Sequence, residues 1–370
     1  MVEYEIYAWE PTVSPHKLEL FRALRDSGRV SRITYIAQAD LSAERKQQGW
    51  SRGDIEDLNV CLAPSTSVID DIVAGSSENA IHIFSGVHWS PVLSAGLKAV
   101  VKRNRRFGLM REPRASEGAK GLGRLVHSWL TEGMYRRRAD FVLAIGRNGP
   151  RWFRRAGYAA RKIFPFAYFL PAPQTEQIGQ EREIPLVVYI GRLDLEKGVS
   201  LWLDALPLTK RKAKFAIAGA GPLAPLVQTR STETSPPLAV LGPLPMAEVG
   251  GLLASADIVC APSLSTNDGW CAVVSEALMA GSAVITTCKV GASICLEQDD
   301  RLGQLVPTDA AQLALAIDKL LEGDLLTHAM RGWRSSWAST RLTSSAGADT
   351  LINILDHIYG GTRRPEPFYA

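Results

Sequence analysis

Two glycine-flanked segments in the second half of the sequence combine residue types that can hold a charged, hydroxyl-rich ligand. The first, Gly191-Arg192-Leu193-Asp194-Leu195-Glu196-Lys197-Gly198, follows the apolar run Pro185-Leu186-Val187-Val188-Tyr189-Ile190, so its cations stand where a buried strand opens into a loop. Arginine offers a planar fork to two phosphate oxygens and lysine a compact point charge, and a helix expected from Val199 to Leu206 adds N–H groups that face an anion. The second, Asp268-Gly269-Trp270-Cys271-Ala272-Val273-Val274-Ser275-Glu276, opens with an acid in a turn and closes with an acid. Ala272 to Ala280 reads as a helix ended by Gly281, which places Glu276 about two turns in, near a sheet edge where a charge is costly without a partner. Ribose hydroxyls suit it, because a carboxylate accepts more than one hydrogen bond. Taken one by one, Arg192 and Lys197 read equally well as surface charges paired with Asp194 and Glu196. Together, two cations for a diphosphate and two carboxylates for hydroxyls describe a sugar-nucleotide site. A third patch, Ala218-Gly219-Ala220-Gly221-Pro222, lets backbone approach a ligand closely, although turns after strands are commonly glycine-rich.

The elements that must position these residues alternate along the chain. Residues 5–9, 33–36, 81–84 and 141–145 read as strands in the first half, with helices expected from His16 to Arg25 and from Ser90 to Val101. Strands at 186–190, 214–218, 238–241, 258–261 and 283–286 repeat the theme in the second half. Such alternation implies βαβ units and parallel sheets covered on both faces. The fold class expected is α/β, two doubly wound domains facing across a cleft, with ligands at the carboxyl ends of the strands. Phe169 to Pro173 and the polar residues up to Glu183 read as the linker.

At 370 residues the chain is long enough for two cores. No apolar run approaches the roughly 20 residues of a membrane-spanning helix, and the start reads as a strand rather than a secretory leader. Five scattered cysteines show no metal spacing or disulfide framework, which fits a cytoplasmic protein. Charge is unevenly distributed: residues 1–170 hold 26 Lys+Arg against 17 Asp+Glu, and residues 98–162 alone hold 18 against 4. Arg136-Arg137-Arg138 and Arg151-Trp152-Phe153-Arg154-Arg155, basic residues interleaved with aromatics, suit an anionic membrane surface. A solvated basic face is the plainer alternative. Nucleic acid is not expected as a partner, since no recognition motif accompanies the charge.

The second half resembles the donor domain of glycosyltransferase family 4, which has the GT-B fold. The resemblance rests on Gly191-Arg192-Leu193 with Lys197-Gly198, Gly219-Ala220-Gly221-Pro222, Leu241-Gly242-Pro243-Leu244-Pro245 and Ala261-Pro262-Ser263. It continues through Asp268-x7-Glu276-Ala277 with Ala280-Gly281 and Gly303-Gln304-Leu305-Val306-Pro307, and covers about 185–310. It implies retaining transfer of a sugar from a nucleotide diphosphate. Arg192 and Lys197, with Gly191, Gly219 and Gly221, would hold the diphosphate; Glu276 the ribose; Asp268, with Gly269 and Trp270, the transferred sugar; and backbone near Leu241 and Gly242 the base. Two departures stand out: the first acid is Asp268 where the family usually has Glu, and the usual Gly-Gly-x-x-Glu segment is reduced to Val290-Gly291-Ala292-Ser293.

The first half is less legible. His16, in the loop after the first strand, is a candidate general base or acceptor ligand, although a histidine at a helix start is more often a local contact. Phe107 to Pro113 reads as a strand ending in Arg111-Glu112. It resembles a segment of bacterial polysaccharide members of the family, which makes Glu112 a candidate to bind or polarise the acceptor hydroxyl; an internal ion pair with Arg111 or Arg114 is the alternative. His88 and Trp89 complete the acceptor candidates. Domains are expected at 1–170 (acceptor) and 171–344 (donor), with 345–370 forming a helix that crosses back to the first. The function expected is a metal-independent, retaining hexosyltransferase using a UDP- or GDP-sugar, with no cofactor and no Asp-x-Asp. Its acceptor would be a glycan or polyprenyl-linked saccharide in cell-surface or exopolysaccharide assembly, at the inner face of the membrane. A GT-B-shaped sugar-nucleotide epimerase and a non-enzymatic basic membrane-associated scaffold are the alternatives. A nicotinamide dehydrogenase is disfavoured, because the first strand lacks the glycines of a dinucleotide turn.

Overall fold

The computed structural model describes residues 3–41, 58–88, 90–173, 182–233 and 235–370. Strands β1 (Tyr4–Thr12), β2 (Val30–Ala39), β3 (Asn59–Leu62), β4 (Ile81–Phe84), β5 (Arg106–Arg111), β6 (Phe141–Ile145) and β7 (Ile163–Phe166) form one parallel sheet in the order β3-β2-β1-β4-β5-β6-β7. Strands β8 (Leu186–Ile190), β9 (Lys214–Ala218), β10 (Leu238–Gly242), β11 (Ile258–Ala261), β12 (Ala283–Thr287) and β13 (Gly303–Val306) form a second, in the order β10-β9-β8-β11-β12-β13. Central strands such as Phe141–Ile145 and Ala283–Thr287 are buried along their whole length, as continuous apolar runs must be when helices cover both faces.

Three strands are not read as strands from the sequence: β3, β7 and β13, each at the edge of its sheet. β3 is four half-exposed residues at one edge, and β7 is an Ile-Phe-Pro-Phe edge strand whose proline hides it; an edge tolerates both. The expected linker also needs correction at its start. Phe169 and Leu170 are buried, and Leu170 pairs with Thr343, donating to Leu342 O at 2.9 Å and accepting from Ser344 N at 2.7 Å. The two chain passages between domains therefore run hydrogen-bonded side by side. Residues 174–181 of that linker lie outside the described residues.

In both sheets the chain reverses direction of build beside the first strand, between β1 and β4 and between β8 and β11. Loops diverge at such switch points and leave a crevice at the carboxyl ends. One core extends along the facing sides of both sheets and takes in the last helix, Ser344–Gly360. That helix returns to the first domain: Asp356 accepts from Tyr4 Oη at 2.6 Å and from Arg29 at 2.8 Å, and Tyr359 donates to Asp140 at 2.9 Å. The starts of β8 and β11 are held by Asp257, which accepts from Leu186 N at 2.8 Å and pairs with Arg331 at 3.1 Å. Both side chains are almost fully buried. Arg331→Ala leaves Asp257 a buried charge without its partner, so the second domain is expected to lose about 3–5 kcal/mol, read as a lower urea midpoint of its unfolding.

Candidate active site

The loops that follow β8 and β11 meet across the second switch point. Leu264 N donates to Glu196 O at 2.8 Å, and Asp194 accepts from Lys197 N at 2.8 Å, which curls the first loop so that the Lys197 side chain turns inward. Its ammonium is ion-paired with Asp268, whose other oxygen accepts from Ser263 Oγ. Asp268 keeps 2% of its side chain exposed and Lys197 21%. Both Asp268 oxygens are therefore engaged inside the protein. The sequence assigned this acid to the transferred sugar; the structure shows it fixing the ammonium, with further acceptor positions left on its oxygens. Arg192 stays largely exposed and pairs with Asp194 at 3.1 Å.

The glycines of neighbouring loops serve chain crossing. Gly191 N donates to Ala218 O at 3.1 Å, Leu193 N to Ala220 O at 2.9 Å, and Gly219 N to Gly242 O at 2.8 Å. A Cβ at Gly219 or Gly221 would collide with the backbone of Gly191 or Leu193. Leu241 and Gly242 end the outermost strand, with Leu241 exposed.

Glu276 sits in the helix Ala272–Met279, half-buried, and among the described residues it has no hydrogen-bond partner or ion pair. Burial alone pushes its carboxyl up to about 7. Trp270, expected in the donor pocket, is instead wholly buried: Nε1 donates to Ser275 Oγ at 2.9 Å and the ring packs edge-on to Phe368. Only its backbone faces the cleft. Cys271 precedes the helix with φ 66°, and burial pushes its thiol well up.

The first domain contributes Glu112. Its carboxylate crosses the cleft and accepts from Trp270 N at 2.8 Å, seated so closely on Gly269 (φ 67°) that any Cβ there would overlap it. Burial raises its pKa; the Trp270 N–H, Lys17 and Lys197 counteract, and Asp268 adds to the rise. The internal pair considered for it does not form. Arg111 is buried against Glu132 at 3.3 Å with its guanidinium over Trp152 and Phe153, so it belongs to the core and not to an acceptor site. His88 is exposed, edge-on to Tyr135, and its charged neighbours are Glu132, His127, Arg111 and Arg114, so it stands apart from Glu112 and Asp268. His16 is the second residue of the helix Pro15–Asp26 and half-buried. Trp89 lies outside the described residues.

One cluster escaped the sequence reading. At the first switch point, Lys17 is buried and donates to both Glu10 oxygens, at 2.8 and 3.0 Å, and to Ser85 Oγ at 2.6 Å; Ser85 Oγ in turn donates to Glu10. The available signal was an acid ending an apolar strand, followed by a lysine on the apolar face of the next helix. Among the described residues no group of three or more His, Cys, Asp or Glu is disposed to hold a metal ion.

An anion entering beside Lys197 would meet its ammonium and the N–H groups that begin Ala272–Met279, while hydroxyls could donate to Glu276. The ionised carboxylate is the better acceptor, and its population falls about tenfold per pH unit below its pKa. A nucleoside diphosphate is therefore expected to bind more weakly as pH drops through about 7, because the proton must leave first. Calorimetry at pH about 6 and about 8 checks this: wild type should show the dependence and Glu276→Gln should lose it.

Residues 184–323 match the family model described as glycosyl transferases group 1. The alpha-D-kanosaminyltransferase of Streptomyces kanamyceticus is 24% identical over 252 residues, which span 63% of this chain and 64% of that enzyme. The crystal structure of Anabaena HepE in complex with UDP superposes with a TM-score of 0.72 at 17% identity, covering 95% of this chain and 100% of that one. A putative UDP-N-acetylglucosamine 2-epimerase from Listeria monocytogenes superposes with a TM-score of 0.57 at 14% identity, covering 99% of each chain. The chain thus has the GT-B fold, two parallel-sheet Rossmann-like domains, and its second domain carries the glycosyl transferases group 1 signature.

Proposed function

We propose that this protein is a retaining glycosyltransferase that moves a sugar, a hexose by the family resemblance, from a nucleoside-diphosphate donor to a hydroxyl of a glycan or lipid-linked saccharide. The observation that carries the reading is the preorganised pair of Lys197, locked by Asp268 and Ser263, and Glu276, left without a partner, at one switch point of a glycosyltransferase-type domain. UDP is the favoured nucleotide, supported by its presence in the Anabaena neighbour.

The chemistry assigned to these residues is as follows. Lys197 and Arg192 stabilise the β-phosphate as the bond from the anomeric carbon to its oxygen breaks and charge accumulates there. The acceptor oxygen bonds to the anomeric carbon on the same face, and its proton passes to the departing phosphate oxygen. Glu112 orients the acceptor hydroxyl from the first domain, and Glu276 anchors the ribose. This assigns the reaction no protein nucleophile, cofactor or metal.

An epimerase of the same fold is the rival, because the Listeria neighbour shows that architecture alone does not separate the two. The matched family model favours transfer. One experiment names the donor and a second divides the two readings. Thermal stabilisation by UDP, GDP and ADP sugars names the donor, and analysis of each donor incubated without acceptor tests for epimerisation. In a transfer assay, Lys197→Ala is expected to lower kcat about 10²–10³-fold, the cost of one preorganised charge donor. An epimerised donor, or full turnover in Lys197→Ala, overturns the proposal.

A further inference from the structure

We propose that the helix Gly118–Thr131 and the short helix Gly133–Arg138 after it form a docking surface for an anionic lipid bilayer. The first helix has three distinct faces. Gly121 and Ser128 are buried and Leu125 packs against the core of the first domain. Lys120, Arg124 and His127 lie on the far side. Between them run Leu122, Val126, Trp129 and Leu130, exposed by 59%, 48%, 55% and 68%. At 3.6 residues per turn these four occupy an arc of roughly 100°, a continuous apolar stripe beside the buried face rather than part of it. Met134, 46% exposed, follows in the next helix. A stripe of this kind on a chain with an ordinary core marks a surface that something covers.

Charge selects the occupant. Between residues 118 and 138 the single acid is Glu132, which is 2% exposed and committed to Arg111, Ser128 and Tyr158. Every exposed charge in the stretch is therefore positive. Apolar side chains with a tryptophan, edged by cations, fit the boundary between acyl chains and anionic headgroups. A nucleic acid would leave the apolar stripe without use. Arg136, one of three consecutive arginines that the sequence suggested as lipid contacts, has another task. It donates to Ser128 O at 3.2 Å, Trp129 O at 2.8 Å and Ala156 O at 2.9 Å, and lies over the Trp129 ring. It closes the helix and steadies Trp129, which leaves Lys120, Arg137 and Arg138 as the exposed cations.

The surface also connects to the cleft. Glu117, immediately before the helix, accepts from Thr266 N at 2.8 Å and from Thr266 Oγ1 at 2.6 Å in the second domain. A bilayer held along this helix would lie beside the opening where an acceptor enters. The surface extends the lipid-linked acceptor part of the proposed function, and its test needs no sugar transfer.

Full-length protein is sedimented with vesicles of phosphatidylcholine alone and of phosphatidylcholine with phosphatidylglycerol, and transfer to a soluble acceptor is assayed in parallel. Wild type is expected to bind the anionic vesicles preferentially. Leu122→Asp with Leu130→Asp should abolish binding at an unchanged melting temperature, because both side chains already face solvent. Lys120→Gln and Arg137→Gln should each weaken binding about fivefold. Absence of binding to anionic vesicles, or undiminished binding by the double aspartate variant, overturns the proposal whatever the transfer assay gives. So does a wild-type dimer, seen by light scattering, that the aspartate variant dissolves, since a second copy would then cover the face.

Discussion

The site depends on a lysine that the fold holds where no free side chain would rest. Lys197 is mostly withdrawn from water, and a desolvated ammonium needs a compensating charge in fixed geometry. Asp268 supplies it, and Ser263 occupies the second Asp268 oxygen. Because Lys197 comes from the loop after β8 while Asp268 and Ser263 come from the segment after β11, this one pair closes the crevice between those strands. The Leu264–Glu196 backbone bond and the Asn267–Glu196 contact at 3.2 Å follow from the same closure. Removing the acid would release the ammonium and both loops together, so the pair is structural before it is chemical.

The first domain repeats the device. Glu10, Lys17 and Ser85 form a carboxylate, ammonium and hydroxyl cluster at its own switch point, as Asp268, Lys197 and Ser263 do in the second. Each cluster is satisfied internally, and each sends its field toward Glu112, which feels Lys17 from one side and Lys197 and Asp268 from the other. Glu276 differs from all of these. Among the described residues it has no hydrogen-bond partner or ion pair, and it carries the cost of burial as a raised pKa. Burial without a compensating partner is the one cost at this carboxylate that the protein's own groups leave standing.

Much of this was legible in the sequence. Apolar runs of four to five residues located the central strands, because burial on both faces demands continuous hydrophobicity. Glycine beside Arg192, Lys197 and Asp268 located the loops. What escaped has physical causes. β3 and β13 are short edge strands with partial burial, and β7 is an edge strand masked by Pro165. Arg111 and Trp270 have side-chain types common in binding sites, and only tertiary packing shows that Glu132 and Ser275 already hold them. Spacing likewise reveals that Asp268 is near a lysine loop, not that its oxygens engage Lys197 and Ser263. Glu10 and Lys17 are adjacent only after the first strand and helix pack.

The contacts that join the two domains are of two kinds, and the difference bears on how substrates enter. Across the cleft they are polar: Glu112 to Trp270 N, Glu117 to Thr266 and Lys289, Ser116 N to Thr266 Oγ1, Arg147 N to Gly291 O at 2.8 Å, the Arg147–Glu297 ion pair, and Asn148 to the carbonyls of Cys288 and Lys289. Water can replace each of these bonds at small net cost. At the chain passages the contacts are apolar and interlocked. Phe169 packs edge-on to Phe166 and Phe368, and Gly347 lies so close to its ring that a Cβ would overlap it. Opening that region would expose aromatic surface at roughly 25 cal/mol per Å². The energetics thus divide the interface into a polar edge that can part and an apolar seam that cannot, with the Leu170–Thr343 bridge in the seam. Both members of the Lys197–Asp268 pair belong to the second domain, so that pair does not depend on the Glu112–Trp270 bond across the edge.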